Sequence, residues 1–208
     1  MNEAFSKPTR SGHGLADLAR VTLDGCHQAL LEIALRTCAG IPSLCRRFVA
    51  EARDLLALAQ ISGRLEVHWL DLSDGLRAKL TMRVPVPCRP GGTGPLRVAP
   101  AALLGLHYPT AALIRPRPRG AAFVCILQPG DVWHPNVQFE ADQVLCLGNH
   151  LPVGIPIKEI VLMTYGALSL QTVQMNPADA AGVLNLEAAA WWQRETGRMP
   201  LTRESFLA

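Results

Sequence analysis

A chain of 208 residues with 49% apolar and 18% charged side chains carries enough apolar surface for one core and excludes wholesale disorder. A surplus of 20 Lys and Arg over 17 Asp and Glu, net charge +3, is too weak a positive balance to argue for a nucleic-acid partner. No run of about 18 apolar residues is present, so no membrane span is expected.

The opening MNEAFSKPTRSGHG is polar and lacks the apolar stretch of a signal peptide. The six cysteines, Cys26, Cys38, Cys45, Cys88, Cys125 and Cys146, are therefore expected in a reducing cytoplasm, most of them as small buried hydrophobes.

Residues 1–13 read as a tail. From Leu15 to Arg36 apolar residues recur at helical spacing, with Asp24-Gly25 as a break, and Ala39-Gly40-Ile41-Pro42 reads as a stop and turn. A second helix spans 43–60, with Ser43 as N-cap. Leu44, Phe48, Ala52, Leu55, Leu56 and Ala59 lie on its apolar face, and Arg46, Arg47, Glu51 and Arg53 lie elsewhere. Two alternating strands follow at 64–70 and 76–84, joined by Ser73-Asp74-Gly75. They should pair antiparallel, with Leu65, Val67 and Trp69 turned to the core.

Residues 85–120 are rich in Pro and Gly, with a short helix expected near 99–105. Arg115, Arg117 and Arg119 alternate with prolines in what reads first as a solvated loop and second as an anion contact. The apolar run 121–127 reads as a central strand, and the irregular stretch 128–155 is expected on the surface beside the sheet. A helix from Pro156 to Leu170, apolar almost all round, should be buried. A last helix runs from Asn185 to about Gly197, with one of Trp191 and Trp192 turned inward. This order predicts an α+β fold.

The chemistry concentrates in Trp133-His134-Pro135-Asn136-Val137 and Val144-Leu145-Cys146-Leu147-Gly148. A thiol near a carboxamide suits acyl transfer: the thiolate attacks a carbonyl, and an amide steadies the oxyanion. His150, four residues past Cys146, is a candidate local base. His134, Cys146 and His150 lack the second ligand pair of a zinc site, so no metal is expected.

The run HPNV at 134–137 followed by VLCLG at 144–148 resembles the active-site signature of ubiquitin-conjugating enzymes. Asn176-Pro177-Ala178-Asp179 with Leu184-Asn185-Leu186-Glu187 resembles the segment between that family's two C-terminal helices, and His107-Tyr108-Pro109 is similar to the tyrosine-proline before its third strand. The resemblance covers roughly residues 43 to 198. It implies a four-stranded antiparallel meander flanked by helices. A catalytic domain would occupy 43–208, and 1–42 would form a tail and helical extension.

By the same resemblance, Cys146 accepts a ubiquitin-like protein as a thioester from an activating enzyme and passes it to a target lysine. Asn136 stabilises the oxyanion or braces the loop, Asp179 orients the incoming lysine, and His134 and Pro135 shape the loop. No cofactor is implied, because the nucleotide is spent by the activating enzyme. The divergence and the Ala- and Arg-rich composition resemble bacterial members of the family, some of which serve antiviral defence. The Asn136-to-Cys146 interval is slightly long, a tryptophan-containing segment after the cysteine is missing, and 87–106 holds an insert. A non-catalytic module of the same fold, binding a ubiquitin-like protein or scaffolding a complex, is the rival reading. An unrelated cysteine hydrolase, with His134 or His150 as base, is a third.

Overall fold

The computed structural model describes residues 15–116, 122–139, 142–148, 151–176 and 182–207. A 3-10 turn at Leu15–Arg20 leads into helix α1 (Gly25–Thr37), whose N-cap Asp24 accepts a hydrogen bond from the His27 amide. Helix α2 (Pro42–Ile61) starts one residue before the expected Ser43 cap, because Pro42 takes the first helical position, where its missing N–H costs nothing.

Strands β1 (Leu65–Asp71) and β2 (Leu76–Met82) pair antiparallel as expected. Gly75, at φ +85°, makes the turn between them; a Cβ there would sit 2.4 Å from the Tyr108 carbonyl oxygen. The expected inward face of β1 fails at one residue. A bulge between Val67 and Trp69 inverts the alternation, so Leu70 enters the core and Trp69 stays 48% exposed on the outer face.

The insert contains a small hairpin, β3 (Val86–Cys88) with β4 (Arg97–Ala99). Where a helix was expected near 99–105, β5 (Ala102–Tyr108) runs instead. Ala102, Leu104, Leu106 and Tyr108 are buried and alternate with more exposed neighbours, a period of two that outweighs the helical propensity of Ala and Leu. Strand β6 (Val124–Gln128) follows, then the two-residue β7 (Val144–Leu145). The main sheet is thus five-stranded, in the order β1-β2-β5-β6-β7 and antiparallel throughout, rather than four-stranded. On the less buried face of β6, Leu127 is exposed and Cys125 half-buried.

With α3 (Ile157–Leu168) and α4 (Leu186–Arg194), the described residues form an α+β fold. Leu55, Leu56 and Leu58 of α2 and Ile157, Ile160 and Val161 of α3 share one core with Leu76, Leu80, Leu104 and Ile126 from the sheet. A second cluster joins Trp133 to Leu170, Ala188 and Trp192. As expected for the tryptophan pair, Trp192 is buried and Trp191 is only partly so. Most cysteines are not buried hydrophobes: Cys88 is buried, Cys26 is exposed, and Cys38, Cys45, Cys125 and Cys146 are intermediate.

Glu51, read as an off-face residue, is buried. Its carboxylate accepts the Ile157 N–H at 2.8 Å and so caps α3 from α2, while the same group pairs with Arg47. Arg47 also donates to the Gly154 carbonyl at 3.2 Å. Glu51→Ala should lower stability by about 2 kcal/mol, the scale of a hydrogen bond to a buried charged group, and Glu51→Gln should cost less; urea unfolding of the three proteins measures both.

Candidate functional site

The loop that carries His134, Pro135 and Asn136 was expected on the surface; residues 132–137 are instead buried. A buried loop must satisfy its own backbone, and this one does so by drawing partners from four places in the chain. The Trp133 N–H donates to the Pro87 carbonyl at 2.8 Å, and the Trp133 carbonyl accepts the Trp192 indole N–H at 2.8 Å. The Pro135 carbonyl accepts both the Leu184 and Asn185 amides, at 2.8 and 3.0 Å. Asn185 in turn caps α4 through the Ala188 amide.

His134 has no exposed surface. Its Nδ1 accepts the Asn136 N–H at 3.0 Å, which leaves Nε2 protonated to donate to the Ala167 carbonyl at 2.8 Å. Burial holds the imidazole pKa down to about 4. A neutral ring with both nitrogens committed ties the loop to the end of α3, and it is not placed to act as a base.

The Asn136 carboxamide is equally committed. Nδ2 donates to the carbonyls of Gln174 and Gly182, and Oδ1 accepts the Gln174 amide at 3.1 Å. Of its two expected roles, this conformation serves the brace: both amide hydrogens hold the two ends of the 174–182 segment against the loop.

Cys146 is placed by a short ladder. The Cys146 N–H donates to the Asn136 carbonyl at 2.8 Å, Val137 bridges Leu145, and the Gln138 N–H donates to the Val144 carbonyl at 3.0 Å. Strand alternation then sends the fully buried Leu145 inward and leaves Cys146 half-buried on the opposite side. The Gly148 N–H points at Sγ from 3.4 Å, a fixed donor beside the sulfur.

The thiol lines a groove of about 980 Å³ together with Gly148, Leu162 and Met163 of α3, and Thr172, Val173 and Gln174. The described residues lining the groove include no histidine, carboxylate, lysine or arginine. No group of three metal-ligating side chains is found among the described residues. His150 and Asp179 lie outside them, as do Arg117 and Arg119.

Two residues that hold the site were not singled out from the sequence. Gln143, at φ +38°, accepts the Val132 amide and donates to the carbonyls of Ile126 and Pro129, closing the span between the loop and β7. No local signal distinguishes it from any other glutamine. Arg89, in the insert, lies over the rings of Trp133 and Trp191 at 5.2 and 5.7 Å and so fastens the β3–β4 hairpin to the loop.

The chain matches no known family model, no curated protein and no solved structure. No helix among the described residues is long and apolar enough to cross a membrane.

Two outcomes follow from the buried loop. The unfolded chain protonates His134 near pH 6.5, whereas the folded chain resists protonation until about 4. The stability this difference confers is fully present above pH 6.5 and is lost as pH falls toward 4, by up to about 3 kcal/mol. Urea midpoints across that range should fall less steeply in His134→Gln. Asn136→Ala removes the side-chain partner of one amide and two carbonyls and should destabilise by about 2–4 kcal/mol, with hydrogen exchange rising first at 174–176 and 182.

Proposed function

We propose that the chain is a ubiquitin-conjugating-type transferase with a fold of that kind, in which Cys146 carries a ubiquitin-like protein as a thioester. The observation that supports this most is the pairing of Asn136 with Cys146. A buried His-Pro-Asn loop sets a half-buried thiol in the lining of a groove of about 980 Å³. Transfer chemistry needs an accessible sulfur more than it needs a resident base, and the lining of the groove suits that demand.

In this reading the Cys146 thiolate attacks the acyl group of the activating enzyme's thioester, and that enzyme's thiol leaves. A lysine amine then attacks the new thioester, the tetrahedral intermediate collapses, and the Cys146 thiolate departs. His134 and Asn136 keep the loop and the 174–182 segment in register during both steps. Asp179 is assigned, by the family resemblance, to the incoming lysine. The partners are an activating enzyme, a ubiquitin-like protein and a target lysine. The setting proposed is a bacterial cytoplasmic conjugation system of the antiviral type.

Incubation with a cognate activating enzyme, its ubiquitin-like protein and ATP should yield one adduct that thiol reductant removes. Cys146→Ser should abolish the adduct or convert it to a reductant-resistant oxyester. Cys88→Ser and Cys125→Ser should retain it, and omission of ATP should prevent it, which separates a thioester from a mixed disulfide. Binding of the ubiquitin-like protein without any adduct would instead identify the non-catalytic module. A reductant-sensitive adduct persisting in Cys146→Ser would refute the assignment of the sulfur.

A further inference from the structure

Cys38 and Cys45 stand outside the groove, at the elbow between α1 and α2. Cys38 is the C-cap of α1, where its N–H donates to the Leu35 carbonyl at 3.2 Å. The chain reverses at Gly40, φ +106°, and Pro42 opens α2, so that Cys45 returns in the first turn of the new helix. Its thiol reaches the carbonyl of Ala39, the residue after Cys38, at 3.6 Å, and lies close enough to the Cys38 thiol to influence its titration. Both side chains are half-buried, so small solutes reach them. Just before Cys38, the Thr37 hydroxyl bonds the Ala34 carbonyl and accepts the Leu72 amide, which anchors the end of α1 to the end of β1. The elbow is therefore anchored immediately before the thiol pair.

We propose that Cys38 and Cys45 form a dithiol modification site that small-molecule disulfides such as oxidised glutathione convert to an intramolecular disulfide. The Cys45 sulfur attacks one sulfur of the oxidant, forming a Cys45 mixed disulfide and releasing one glutathione thiol. The Cys38 sulfur then attacks Cys45 Sγ, closing the protein disulfide and releasing the second glutathione thiol. Two protein thiols are oxidised, one small disulfide is reduced, and the two protons leave with the released thiols. Burial and the neighbouring thiol push the Cys38 pKa up to about 11, which makes Cys38 the slower, resolving partner. The product closes a short loop across the elbow and constrains the unfolded chain.

The test is incubation of the whole protein with oxidised glutathione, alkylation of the remaining thiols, and peptide mass spectrometry. One peptide pair joining Cys38 to Cys45 is expected, lost on reduction, and accompanied by a thermal midpoint about 5 °C higher than that of the reduced protein. Cys38→Ser should trap glutathione on Cys45, and Cys45→Ser should leave Cys38 largely unmodified. Glutathione retained on wild-type Cys45 without cross-linking would overturn the proposal. So would Cys38–Cys45 cross-links no more abundant than those of either residue with Cys26. None of these readouts depends on Cys146, so the outcome is independent of the transferase reading.

Discussion

The constraint on which the rest of the structure depends is the burial of a loop. Residues 133–136 lie outside any helix or strand, with isolated bridges at Val132 and Val137 on either side, yet they lie in the interior. An unpaired buried amide or carbonyl costs on the order of 1–3 kcal/mol, so the loop can stay inside only if other segments bring partners to it. Pro87, Ala167, Gln174, Gly182, Leu184, Asn185 and Trp192 all do so. The demand for hydrogen-bond satisfaction thereby assembles the C-terminal half of the chain around three residues.

That assembly positions the thiol. Because the Asn136 carbonyl holds the Cys146 amide, the cysteine's place is set by the same buried loop that holds Gln174 and Gly182. The far side is held from α2, where Glu51 caps α3 and Arg47 grips Gly154 in the segment between the thiol and that helix. Two independent fastenings therefore bracket residues 147–156. The side chains of His134 and Asn136 act as fasteners, and the half-buried Cys146 sulfur faces a groove whose described lining mixes apolar side chains with neutral polar ones.

Electrostatics reinforces this division. A buried neutral imidazole with both nitrogens engaged couples loop integrity to pH, because charging it would break its acceptor bond and place an ion in an apolar interior. The Arg89 guanidinium between two indole rings keeps its charge at the edge of the second core cluster, where aromatic faces and the Thr93 and Gly94 carbonyls receive it. The insert is thus held by polar contacts to the loop and belongs to the same network.

Local pattern alone determined much of the framework. The break at Asp24-Gly25, the amphipathic second helix, the β1–β2 hairpin, the buried α3, one inward ring of the Trp191-Trp192 pair and the α+β class follow from periodicity and turn chemistry, which act over a few residues. The pairing of a cysteine with a His-Pro-Asn loop was also legible, because its residue types are unusual together. What tertiary structure decided is whatever depends on distant partners. The bulge that exposes Trp69 is a matter of strand register. Strand β5 overrides the helical preference of its Ala and Leu because β2 and β6 flank it with unmet hydrogen bonds. The burial of 132–137, the inward Glu51 and the fastening by Gln143 have no local signature, since each is stabilised by groups from 11 to more than 100 residues away. The choice of Asn136 as brace belongs here too: a carboxamide's chemistry is the same in any sequence, and only the folded chain brings the two carbonyls that claim both of its hydrogens.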